Sequence, residues 1–205
     1  MQKCSNEVYA YLELKQDLFF HKIPVDKIRY YVEESLKCGM EMTKKHRIDD
    51  IYEFCREENI EIEEREGDGN FYKVRFRAQF EYNNGKNSKI IIYLKTLAEL
   101  AQECELDFEL VKKIHLFHEV FHYLEYKDHS EVSDKLEPVE TVNILAFKRQ
   151  ARIQRTSEIA AHYFAMANLN LDFMGNALDY QYLYKTGKME LEYLEKATIE
   201  YQKLP

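Results

Sequence analysis

The segment from His115 to Tyr126 reads HLFHEVFHYLEY, and its inner residues His118-Glu119-Val120-Phe121-His122 fit the pattern H-E-x-x-H. Two histidines four apart on a helix stand about one turn apart on one face, so both imidazoles can meet a single ion. Zinc takes such nitrogens at about 2.0–2.1 Å and, in catalytic sites, keeps one position open for water. A glutamate beside the first histidine projects next to that position, where it can accept a proton. His118 and His122 are therefore the expected ligands, Zn2+ the expected cofactor and Glu119 the expected general base. The plainer explanation is coincidence in a chain with seven histidines. A single histidine on an apolar face is commonly a hydrogen-bonded core residue. A pair spaced i and i+4 around a glutamate is harder to account for in that way.

A catalytic site of this kind needs a third protein ligand. In SEIAAHYFA, Glu158 is an acid on a helix otherwise built from small and apolar residues, and Ala160, Ala161 and Ala165 let that helix approach another closely. His162 lies one turn beyond Glu158 on the same face, where it can hold a ligand in position from behind. The alternative for Glu158 is a solvated residue near Arg152 and Arg155. His115 lies one turn before His118 on nearly the same flank. It reads first as a packed or partly exposed histidine, and second as a residue that supports a ligand from behind or donates a hydrogen bond to the transition state. Tyr123, Tyr126 and Tyr163 each carry a hydroxyl of the kind an oxyanion needs, but nothing selects among sixteen tyrosines. Lys148, Arg149, Arg152 and Arg155 form a basic stripe leading toward Glu158. It reads first as a solvated helix face and second as a dock for an acidic partner.

These residues need elements to carry them. Residues 1–45 read as helical, with Pro24 at a helix first turn ahead of VDKIRYYVEESLKCGMEM. IDDIYEFCREEN follows as a helix and IEIEE as a short strand. In FYKVRFRAQFEY, Tyr72, Val74, Phe76, Ala78, Phe80 and Tyr82 alternate with polar residues, the clearest strand pattern in the chain. NNGKNS has the Asn-Gly chemistry of a hairpin, and KIIIYLK returns as the partner strand. KTLAELAQECE reads as a short helix. Asp107 caps the next, on which Leu110, Ile114, Phe117, Phe121 and Leu124 form the buried stripe. Residues 127–137 read as a loop. Pro138 is expected to open a long helical stretch ending in SEIAAHYFAMANL, and the tail from about 173 to form one or two amphipathic helices. The class expected is α+β, with a small antiparallel sheet.

Composition narrows the function. At 205 residues the chain suits one domain with a real core. A net charge of −8 argues against a broad surface for nucleic acid or anionic membrane. No apolar run approaches the roughly 18–20 residues that span a bilayer, and the N-terminus lacks the apolar stretch of a signal peptide. Cys4, Cys38, Cys55 and Cys104 are far apart without a C-x-x-C pair, as expected for reduced thiols in a cytoplasmic protein.

HLFHEVFH followed downstream by E-x-x-A-x-x-F-A (Glu158, Ala161, Phe164, Ala165) resembles the zincin metallopeptidases of the ImmA/IrrE type. The resemblance covers residues 46–170, leaving residues 1–45 and 171–205 as helical extensions of a zincin-like core. It implies that His118, His122 and Glu158 bind zinc and that Glu119 activates water. It also implies a site-selective regulatory protease, whose protein substrate is a repressor of the helix-turn-helix type. Three positions depart from the family pattern. Val120-Phe121 stands where Leu-Gly is usual, His162 replaces the usual Asp or Asn, and no Leu-Leu-x-Pro run follows. These departures motivate a competing expectation, a catalytically silent metal-binding regulatory or scaffold protein. A helical interaction domain without metal is the third.

Overall fold

In the computed structural model the helical span expected over residues 1–45 is two helices, α1 (Asn6–Leu14) and α2 (Ile28–Lys45), separated by turns. The structure describes residues 4–67, 69–71, 74–82, 88–144 and 147–205. Pro24, with φ −56°, leads into a 3-10 turn over Val25–Lys27 immediately before α2. Asp50 caps α3 (Ile51–Glu57) by accepting from the N–H groups of Tyr52 and Glu53.

The strand region is more broken than its alternation suggests. After β1 (Glu61–Arg65), the single long strand expected over FYKVRFRAQFEY is replaced by β2 (Asn70–Phe71), β3 (Val74–Arg75) and β4 (Ala78–Glu81). β2 and β3 pair antiparallel with each other, and Phe76 N–H closes this small hairpin onto the Gly69 carbonyl at 2.9 Å. Gly69 has φ +61°, a conformation that suits glycine. A period of two reports which face a residue takes and not whether the ladder is continuous. Tyr72 and Lys73 lie outside the described residues, as do residues 83–87 of the Asn-Gly turn.

β4 pairs antiparallel with β5 (Lys89–Tyr93), as expected, with Ala78 opposite Ile92. β1, however, pairs parallel with β5, so the sheet β1-β5-β4 is mixed and not antiparallel. Residues 66–88 supply the crossover of a dozen or more residues that parallel neighbours require. Ile90, Ile91 and Ile92 are fully buried, so β5 is covered on both faces.

Helix α4 (Leu94–Cys104) leads to α5 (Phe108–Lys127), where the Asp107 side chain accepts from Leu110 N–H at 3.0 Å. The expected stripe is present: Ile114, Phe117, Phe121 and Leu124 are buried and Leu110 is partly so. Val111, Leu116, Val120 and Tyr123 are buried as well. α5 is thus sunk into the core on most sides, and the half-exposed flank that remains carries His115, His118, Glu119 and His122.

Past α5 the expectations need two corrections. The loop at 127–137 contains one helical turn, α6 (Val132–Lys135). The long helix expected from Pro138 is absent; its first half is an antiparallel hairpin of β6 (Val139–Ile144) and β7 (Phe147–Ala151). Val139, Thr141, Val142 and Ile144 are β-branched and favour a strand over a helix. α7 begins only at Arg155 and runs to Asn168. The basic stripe is therefore not one helix face. Lys148 and Arg149 lie on β7, and Arg152 pairs with Asp134 at 2.5 Å. The tail forms α8 (Ala177–Lys185) and α9 (Glu192–Gln202), as expected.

The result is an α+β architecture with one hydrophobic core reaching from Val8 on α1 to Tyr201 on α9. α7 and α2 approach very closely. Ala160, Ala161 and Ala165 are fully buried, and a Cβ at Gly39 would stand 2.6 Å from the Ala160 carbonyl oxygen. Among the described residues no helix is long and apolar enough to cross a membrane.

Candidate metal centre

Two helices carry the three expected donors. His118 and His122 project from α5 and Glu158 from the first turn of α7, where the helix dipole favours a carboxylate. One ligand atom from each lies within 4.8 Å of the others. His118 Nε2 is 3.1 Å from Glu158 Oε2 and 3.2 Å from His122 Nε2, and His122 Nε2 is 3.8 Å from Glu158 Oε1. Ligands at about 2.0–2.1 Å from a tetrahedral zinc ion are about 3.3 Å apart, so the donor set fits such an ion. The two Nε2 atoms face each other at hydrogen-bond distance, and one ion between them would engage both lone pairs.

The electrostatics tie the three together. Burial opposes ionisation of Glu158, but hydrogen bonding and charge from His118 and His122 outweigh it and hold its carboxyl well below the usual range. Burial likewise opposes charge on His122, and hydrogen bonds to Glu125 and Glu158 overcome it, raising its pKa well above the usual value. For Glu119 burial dominates and pushes the carboxyl up, against the charge of the nearby imidazoles. A carboxyl raised in this way is better matched to proton transfer near neutral pH.

Glu125, one turn beyond His122, escaped the sequence reading. It is buried at 3% exposure and its Oε2 accepts from His122 Nδ1 at 3.0 Å. Its Oε1 accepts from Val132 N–H at 2.7 Å and from the Ser157 hydroxyl at 2.8 Å. One carboxylate thus orients the His122 ring on α5 and braces the start of α7, leaving Nε2 of His122 to face the cluster. The available signal was an acid in a helix turn otherwise read as core. Glu13 on α1 is a second such residue: it is buried, bonds Arg155 at 2.8 Å and lies 4.0 Å from His162 Nε2.

The supporting histidines behave differently from each other. The His162 ring packs on that of His118 with centroids 4.5 Å apart, so it steadies that ring by contact. Gly175 makes room for it, since a Cβ there would stand 3.0 Å from His162 Nδ1. His115 Nδ1 donates to the Val111 carbonyl at 2.8 Å, and burial, with the Arg77 charge, lowers its pKa to about 3. Of the tyrosines considered for an oxyanion, Tyr123 donates to Glu58 at 2.6 Å and Tyr163 lies against Gly39. Tyr126 stacks on Tyr82 and lines a cavity beside the cluster.

Two cavities meet here. The larger, of about 1280 Å³, is lined by His115, His118, Glu119, His122, Glu158 and His162. The smaller, of about 520 Å³, shares His122, Glu158, Phe80 and Arg155 with it. Phe121, at the position where the family pattern has glycine, is fully buried and packs on Phe164 of α7 with centroids 5.6 Å apart, clear of both cavities. Compared with family models, curated proteins and solved structures, the chain matches none.

Proposed function

We propose that the protein is a zinc-dependent metallopeptidase of the zincin-like class. The observation that carries this reading is the convergence of His118, His122 and Glu158 at the meeting point of two cavities, with Glu119 beside them. His118, His122 and Glu158 would hold the ion. Zinc, when bound, supplies Lewis-acid polarisation of the scissile carbonyl and of the attacking water. Glu119, which lines the same cavity, would take a proton from that water and pass it to the leaving amine. Glu125 keeps the His122 ring turned toward the ion, and His162 packs the ring of His118 in place.

A structural, non-catalytic metal site would be closed by its own ligands. Here the side chains of His118, His122 and Glu158 retain 13%, 21% and 35% exposure, which supports an accessible position for substrate. The resemblance to ImmA/IrrE peptidases extends the reading to site-selective cleavage of a protein such as a helix-turn-helix repressor.

The test is zinc content and peptide cleavage by wild type and Glu119→Gln. Wild type is expected to bind one zinc per chain and to cleave. Glu119→Gln is expected to keep the zinc and to lose activity by about 10²–10⁴-fold. A wild type that takes up no zinc contradicts the proposal, and equal cleavage by the two proteins removes Glu119 as the base.

A further inference from the structure

The larger cavity has a wall that no part of the H-E-x-x-H pattern supplies. Phe76, ahead of β4, forms it with Tyr180, Tyr182, Leu183, Met189 and Tyr193 from α8, α9 and the chain between them. The surface is mostly apolar and accessible: Tyr193 is 46% exposed, and Tyr182, Leu183 and Met189 are half-buried. The rings are also braced. Tyr182 stands between the Arg77 guanidinium and the Lys188 ammonium, 5.9 and 5.4 Å from its centroid. Tyr180 and Tyr193 stack with centroids 6.4 Å apart. Arg77 is ion-paired with Asp179, so its charge is largely matched within the wall. The smaller cavity is mixed in chemistry, with Glu131, Gln154, Arg155 and Ser157 beside Phe80 and Tyr126. The candidate metal centre thus borders both the aromatic wall and this mixed lining.

We propose that the α8–α9 wall determines specificity by receiving a large apolar side chain, aromatic best of all, from a polypeptide whose main chain crosses the metal centre. This rests on the metallopeptidase reading and adds the substrate class. The driving force is burial of the apolar side chain, with offset or edge-on ring contacts favouring an aromatic one. A charged side chain gains nothing at this wall, because Asp179 is already paired with Arg77 and Glu13 with Arg155.

The experiment measures binding of a peptide hydroxamate series to the zinc-loaded full chain by calorimetry. The peptides differ at one position only, carrying Phe, Leu, Ala or Asp, and acetohydroxamate serves as the bare metal-binding head. The Phe peptide is expected to bind about tenfold or more tighter than the Ala peptide, with Asp no tighter than Ala. Tyr182→Ala should abolish most of that preference while leaving zinc stoichiometry and acetohydroxamate affinity unchanged. Tyr193→Ala, which removes a ring about half exposed, should reduce the preference at less cost to the fold than Tyr182→Ala. Equal affinity for the Phe and Ala peptides in wild type, with acetohydroxamate still bound, overturns the role of the wall and leaves the metallopeptidase reading standing. Loss of zinc or acetohydroxamate binding by wild type overturns both.

Discussion

His122 reaches the cluster through one ring nitrogen because Glu125 accepts a hydrogen bond from the other, and Glu125 itself is held by Val132 N–H and Ser157. Replacing it with glutamine leaves one acceptor oxygen for three donors, so either the His122 bond or the bonds to Val132 and Ser157 must be lost. Glu125→Gln is therefore expected to weaken zinc affinity by about 10–100-fold, read by competition with a chromophoric chelator. An unchanged affinity would show that packing alone orients the ring. His115 gives a different prediction. Its folded pKa of about 3 lies below the ordinary 6.5, so between those values the unfolded chain takes up a proton that the folded one does not. Stability should fall as pH drops through that window, and His115→Gln should flatten the fall by up to about 1.4 kcal/mol per pH unit. Urea titrations of chelator-treated protein at several pH values measure it; identical slopes would contradict the burial effect. The three donors and Glu119 were legible from residue type and spacing alone. Glu125 was not, because a glutamate three residues after a histidine also describes an ordinary surface pair, and its meaning depends on Ser157, which folding brings in from another helix.

Helix α7 carries Glu158, and its position is set by the tight seam with α2. A methyl group at Gly39 would press on the Ala160 carbonyl at 2.6 Å and on Tyr163 Cβ at 3.0 Å, both on α7 and neither able to yield without moving the helix. Gly39→Ala is expected to cost about 1–3 kcal/mol by overpacking and to displace Glu158 from the histidines, lowering zinc affinity as well. Denaturant unfolding and a zinc titration check the two effects; a neutral outcome in both would mean the seam can relax. The small residue of this seam on α7, Ala160, is visible in the alanine-rich stretch, although its partner helix is not. Pro138 suggests a helix start, yet the β-branched residues after it take extended backbone and pair as β6–β7. Parallel pairing of β1 with β5 leaves no local signature at all, since it is decided by a crossover and not by either strand.

Across the whole molecule, the segments before and after the α5–α7 pair share its core and frame its cavity. Asp17, just after α1, accepts Arg155 N–H at 3.0 Å at the start of α7, and Glu13 on α1 bonds the Arg155 side chain. α8 and α9 supply the aromatic wall on the opposite side. Sequence patterning marked both ends as helical but not their role at the site, because that role arises from packing between residues far apart in the chain. The account as a whole depends on a single ion held by α5 and α7 together. Crystals grown with zinc and measured at the zinc absorption edge test this most directly. The account predicts one anomalous peak about 2.0–2.1 Å from His118 Nε2, from His122 Nε2 and from a Glu158 oxygen. A zinc peak elsewhere, or none between these side chains, would contradict it.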